Sequence, residues 1–232
     1  MAITVYWACL EDEWMRCKAP TSVIKDFYQT HSCSSNNKLM GMNFCPSFNL
    51  SLKNTYALKS LYNYNFSVVD GKVGSDMHDQ NFYNNHVIER SIEEKFFSFT
   101  QMKVFFTDDA SLKMTVGQFP FLEDNNITKR CAILPGTFDI GKWFRPIDFS
   151  FYLKKEYNEF TITEDEIYSY ITFHTDQTVN LKQFYPSPTI KQHLSDVLLS
   201  KRYLVGKKTL ENFYAMFRTK RLILNEIKKN LI

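Results

Sequence analysis

The sequence predicts a mainly β protein: an antiparallel sandwich or jelly-roll-like body followed by two C-terminal α-helices. Three observations carry that prediction. Aromatic residues make up 16% of the 232-residue chain, with 21 Phe and 13 Tyr, and large aromatic side chains suit half-buried pleated surfaces. The stretch from Pro135 to Phe184 contains three runs of strand-like alternation in quick succession, at 148–153, 167–174 and 178–184. Beyond Ser187 the apolar residues change to spacings of three and four, the helical period.

Taken in order, Ile3, Val5 and Trp7 alternate with Thr4 and Tyr6, which predicts a first strand. Residues 11–16 suit a short helical turn, and the polar stretch 30–37 (THSCSSNN) a loop. A short strand is expected at 48–52 and another at 62–70, the latter closed by Asp70-Gly71, a favoured hairpin pair. The run KFFSFTQMKVFFT (95–107) places Phe97, Phe99 and Gln101 on one face and Phe96, Ser98 and Thr100 on the other. Asp108-Asp109 should turn the chain back into a strand at 111–116, making a hairpin. The segment 148–184 is expected to fold as antiparallel hairpins too. Ser187-Pro188 reads as an N-cap followed by proline in the first turn, and Ile190, Leu194, Val197 and Leu198 as the inner face of the helix that Gly206 ends. Thr209 should cap the last helix, whose stripe is Leu210, Phe213, Phe217, Leu224, Ile227 and Leu231, interrupted by Lys220. The division is thus a β-rich body over 1–186 and a helical unit over 187–232, packed on the body or on a partner.

Composition narrows the functional classes. The chain has 7 Gly and neither GxGxxG nor GxxxxGK[ST], which argues against a glycine-rich phosphate loop. It lacks the GxSxG elbow of α/β-hydrolases. The formal charge of +3 hides an asymmetry: residues 201–232 carry nine Lys/Arg against Glu211 and Glu226, leaving the rest acidic on balance. A basic tail of this kind can face nucleic acid or an acidic partner. The five cysteines, with no CxxC, are expected as reduced and mostly buried thiols. The start MAITVYWACLEDEW lacks the basic region of a signal peptide, and no apolar run suits a membrane span, so no membrane partner is expected.

Candidate chemistry is sparse. His174-Thr175-Asp176 has the HxD spacing with which Fe(II)/2-oxoglutarate oxygenases begin a facial triad, because a strand-end His and a carboxylate two residues on can reach one metal. The competing reading is a polar turn in which Asp176 supports the backbone, and it weighs more, because the only later histidine, His193, sits in an expected helix. His78 and His86, with Asp76, Asp79 and Glu89 nearby, form a second loose cluster that could join His174 around a metal. A solvated loop is the weightier reading, because three or four such residues gather in polar loops without any metal. Arg145, beside Trp143, could bind a carboxylate or phosphate through its fork; pairing with Asp139 or Asp148 is the structural alternative, and the weightier one. Arg218, Arg221, Lys228 and Lys229 on the last helix are candidates for contact with a protein or nucleic acid.

The segments MAITVYWAC, FDIGKWFRPIDFSFYL and ITFHTDQTVNLKQFYPSPTIKQHL resemble uncharacterised proteins of T4-like marine bacteriophages, more closely in the second half of the chain. The resemblance implies a viral source and a location in the host cytoplasm or the virion, and no reaction. The functional expectation is a non-enzymatic structural or protein-binding phage protein that works with a protein partner or as a homo-oligomer. The alternative is an Fe(II)/2-oxoglutarate oxygenase using His174 and Asp176.

Overall fold

The computed structural model describes residues 2–10, 14–26, 45–69, 72–74, 86–91, 93–118, 125–204 and 220–232. These residues are mostly β. In chain order the strands are β1 (Ala2–Cys9), β2 (Thr21–Ser22), β3 (Thr55–Lys59), β4 (Tyr64–Val69), β5 (Lys72–Gly74), β6 (Val87–Ser91), β7 (Phe96–Thr107), β8 (Met114–Gly117), β9 (Cys131–Leu134), β10 (Gly136–Phe138), β11 (Pro146–Leu153), β12 (Glu159–Ile162), β13 (Ile167–Phe173) and β14 (Thr178–Gln183). The helices include α1 (Pro46–Leu52), α2 (Asn126–Arg130), α3 (Pro188–Leu204) and α4 (Lys220–Lys229), with a 3-10 turn at Trp14–Arg16.

Among the described residues the strands form three sheets. The largest runs β14-β1-β7-β11-β9, with β6 beside the first half of β7; the second runs β10-β8-β13-β3-β2; the third is β12-β4-β5. All pairings are antiparallel except β1 with β14, which is parallel. The main core draws on all three sheets: Val5, Trp7, Phe97, Phe99 and Phe151 from the first, Met114, Ile171 and Phe173 from the second, Phe66 and Phe160 from the third. Its rings meet edge-on or stacked, as with Phe66 and Phe160 at 4.7 Å, geometries that favour the ring quadrupoles.

The opposite face of β1 and β7 is also buried. Tyr6, Ala8, Val104 and Phe106 lie under Ile190 and Leu194 of α3 and Ile223, Leu224 and Ile227 of α4. Both strands are therefore covered on two sides, which explains the nearly continuous apolar run of β7. Burying the three α4 side chains contributes roughly 1.5–3 kcal/mol each before entropy costs. The α3 start is as expected: the Ser187 hydroxyl lies 3.4 Å from the Ile190 N–H in N-cap geometry, and Pro188 opens the helix. Of the expected stripe, Leu224 and Ile227 are buried and Leu231 is exposed; Gly206, Thr209, Leu210, Phe213 and Phe217 lie outside the described residues.

Two expectations are corrected. The segment 48–52, expected as a strand, is part of α1. Pro46 starts that helix, and the four-residue spacing of Phe48 and Leu52 sets both against Val23 and against Ala57 and Tyr170 of the second sheet. The expected hairpins at 95–116 and 148–184 are strands with other partners. β7 pairs with β11 and β8 with β13, so the chain changes sheet between β7 and β8, and again at each step from β11 to β14. Alternation specifies which side of a strand faces inward, whereas the neighbour is chosen by packing. Cross-strand rings such as Phe97–Phe151 at 5.7 Å and Phe99–Phe149 at 5.6 Å join β7 to β11. The hairpin around Asp70-Gly71 is recovered in its flanks, where Val69 pairs with Lys72.

Candidate functional site

The main core contains a lysine. Lys103 is 3% exposed, and its ammonium nitrogen lies 2.8 Å from the Lys59 carbonyl oxygen and 3.3 Å from the Tyr168 hydroxyl. It also stands over the Tyr168 ring, 5.3 Å from its centre. The strand is irregular here: Pro146 faces Val104 while Asp148 faces Thr100, so Ile147 alone opposes residues 101–103. Met102 takes the left-handed conformation at φ 49°, and its carbonyl accepts the Leu10 N–H at 2.8 Å. Such a bulge bends a strand and re-aims its side chains.

Burial lowers the Lys103 pKa, with smaller opposing effects from Cys17 and Cys9. Burial likewise raises the Tyr168 hydroxyl well above its ordinary value. The nitrogen donates to both the Lys59 carbonyl and the Tyr168 hydroxyl. A cavity of ≈ 20 Å³ adjoins it, lined by residues that include Cys9, Ser60, Tyr62, Tyr64 and Phe99. That is room for about one water molecule. The cluster joins the first sheet to the second through a polar contact inside an aromatic core, and is too small for an organic substrate. Sequence reading did not single out Lys103; the available signal was a lysine in the interior of the aromatic run KFFSFTQMKVFFT.

The residues singled out in the sequence are dispersed. The His174 Nε2 lies 2.6 Å from the Thr115 hydroxyl. Asp176 points its carboxylate into solvent, 4.0 Å from the Lys53 ammonium. The turn that holds them is built from across the sheet. Asn54, left-handed at φ 54°, donates its side-chain amide to the carbonyls of Thr175 at 2.8 Å and Gln177 at 2.9 Å, and Lys53 donates to the Asp176 carbonyl at 2.8 Å. His86 is buried against the Phe99 ring, and His78 lies outside the described residues. Among the described residues no three His, Cys, Asp or Glu side chains gather as metal ligands.

Arg145 is committed to structure rather than open to a ligand. It is 8% exposed, bonded to Asp148 at 2.7 Å and to the Pro146 carbonyl at 3.1 Å, and placed over the Phe138 ring at 5.4 Å. Trp143, half-buried, belongs to the preceding turn, where its N–H donates to the Asp139 carbonyl. Gly141 permits that turn, because a Cβ there would sit 2.0 Å from the Asp109 carbonyl oxygen. Among the described cysteines, Cys9, Cys17 and Cys131 are buried, Cys45 is exposed, and none forms a disulfide. Cys33 lies outside the described residues. No described helix is long and apolar enough to cross a membrane.

No protein-family model matches the chain, and no curated protein or solved structure matches it.

The remaining feature is the surface where the chain's end meets β14. Leu231 bridges Phe184, with Tyr185 donating to the Asn230 carbonyl at 2.8 Å and Ile232 to that of Gln183 at 3.1 Å. Tyr185, Leu231 and Ile232 are all exposed there, Ile232 at 69%, and Leu222 on the outer face of α4 equally so. Arg221, Lys228 and Lys229 are exposed on the same helix, while Arg218 lies outside the described residues. An open groove of ≈ 420 Å³ runs alongside, lined by Tyr185, Pro186, Pro188, Lys191, Gln192 and Ser195. The arrangement places exposed apolar side chains beside basic ones.

Proposed function

We propose that the chain is a non-enzymatic phage protein, a structural or protein-binding module of the virion or of the infected host's cytoplasm. One observation carries this reading: the exposed apolar group of Tyr185, Leu222, Leu231 and Ile232 accompanied by Arg221, Lys228 and Lys229. Isolated exposed apolar residues are ordinary, whereas several on one helix, the chain end that follows it and the strand end beside it, with mainly basic side chains among them, favour a macromolecular partner. The jelly-roll reading of the body belongs to the same proposal. It is supported by the change of sheet at every step from β11 to β14, as in the crossing connections of double-sheet rolls.

The test is a photo-crosslinking residue at Leu222 or Ile232, expressed in infected cells. A defined protein adduct at both positions, absent from a control position at Met15 on another exposed surface, is the expected result. Absence of any protein adduct at either position overturns the reading. Adducts to nucleic acid that disappear as salt rises would replace it with phosphate binding by the basic helix.

A further inference from the structure

We propose that the outer edge of β14 receives a short, acidic, extended segment of a partner protein as an added strand, an inference that rests on the protein-binding reading above. β14 is the last strand of its sheet. Its pairing with β1 is parallel, and Phe184 donates to the Trp7 carbonyl at 3.0 Å. Even-numbered residues therefore direct their backbone groups to β1, and Val179, Leu181 and Gln183 direct theirs outward. Two of those outward groups are used: the Val179 carbonyl accepts the Tyr56 hydroxyl at 3.2 Å, and the Gln183 carbonyl accepts the Ile232 N–H. The N–H and C=O of Leu181 and the N–H of Gln183 have no hydrogen-bond partner among the described residues. An open row of this kind is a template for strand addition.

The edge also specifies what it would take. β14 carries no acidic residue and exposes Lys182. Lys228 and Lys229, exposed at the end of α4, immediately precede the Asn230–Ile232 segment that lies on this edge. The sign of the charge calls for carboxylates on the incoming strand. Lys182 and Asn180 face one side of the sheet; Leu181, half-buried against the main core, faces the other. An apolar residue opposite Leu181, with acidic residues on either side of it, satisfies both faces. A second copy of the chain fits poorly. A two-fold through Leu181 would set one copy's Val179 opposite the other's Gln183, the place that Ile232 already occupies. A short segment ending before Gln183 meets no such obstruction.

The probes are the acetyl- and amide-capped tripeptide Glu-Val-Glu, which spans only the positions opposite 180–182, its counterpart with Lys in place of both Glu, and a version of the acidic peptide methylated on the valine nitrogen. Amide exchange and chemical shifts of Leu181 and Gln183 are followed by NMR in the full chain. Fast exchange of both amides in the unliganded protein, protection by the acidic peptide, and at least tenfold weaker binding of the lysine and N-methylated peptides are expected. Lys182→Glu, an exposed change that leaves the fold intact, should weaken the acidic peptide about tenfold and favour the lysine one. Slow exchange before any peptide is added, similar binding of all three peptides, no binding of the acidic one, or indifference to Lys182→Glu would each overturn the proposal. Protein adducts at Leu222 and Ile232 combined with failed peptides remove strand addition alone; loss of both removes the protein-binding reading as well.

Discussion

Replacing Lys103 by Met should change the pH dependence of stability more than the stability itself. The side chains are similar in length, so the packing around Tyr168 and Phe99 is largely kept. Two opposing effects follow. The Lys59 carbonyl loses its 2.8 Å donor, which costs about 1–3 kcal/mol where the group cannot reach water. Against this, the burden of holding an amine in an aromatic core disappears, and that burden depends on pH. The folded-state pKa of Lys103 is lowered by burial, while in the unfolded chain it stays at about 10.4. Between those two values the unfolded state holds one more proton, so wild-type stability rises with pH, by up to about 1.4 kcal/mol per unit. Its full contribution is present above the unfolded value and is lost as pH falls towards the folded one. Urea unfolding of both proteins at intervals from pH 6 to 10 measures the difference. Cys131, whose thiol burial pushes up to about 12, and Tyr168 titrate in both proteins and cancel in the comparison. The wild type should gain on Lys103→Met as pH rises, with Met the better residue at the acid end. Parallel stability curves would refute the idea that a buried, deprotonation-prone amine joins the two sheets.

Four further outcomes are expected. Ile227→Ala, at a fully buried position under the helical layer, should cost about 2–5 kcal/mol in urea unfolding, whereas Leu222→Ala on the exposed face should stay within about 0.5 kcal/mol. Asp148→Ala strands the buried Arg145 guanidinium and should cost about 3–5 kcal/mol, while exchanging both residues for apolar ones should cost much less. Ser187→Ala removes the α3 cap and the 3.0 Å hydroxyl contact with Glu226 of α4, so a loss of about 0.5–2 kcal/mol is expected by thermal unfolding. Peptide mapping after brief alkylation should find Cys45 labelled and Cys9, Cys17 and Cys131 protected until denaturant is added, since nucleophilic attack needs an accessible thiolate.

Local rules were sufficient wherever a residue acts on its own neighbours. Alternation located β1, β7, β11, β13 and β14, and the Ser187-Pro188 pair marked the start of α3, because strand pleat and helix capping are properties of a few consecutive residues. The mainly β class and a C-terminal helix with one buried face were legible for the same reason. At Pro46 the sequence held the helix signal too, but a short apolar run does not distinguish a strand from a helix by periodicity alone. Strand partnership was beyond reach: β7 finds β11 rather than β8 through rings contributed from distant parts of the chain, and β1 finds β14 in parallel. The same holds for the candidate residues. His174 and Asp176 are two apart in sequence, yet one meets Thr115 and the other solvent beside Lys53. Lys103 was not singled out in the sequence; the bulge at Met102 and the cover supplied by Tyr168 and Lys59 make it a buried amine. Charge, period and capping are written along the chain, whereas burial, pairing and the vacant edge of β14 depend on which distant segments lie next to one another.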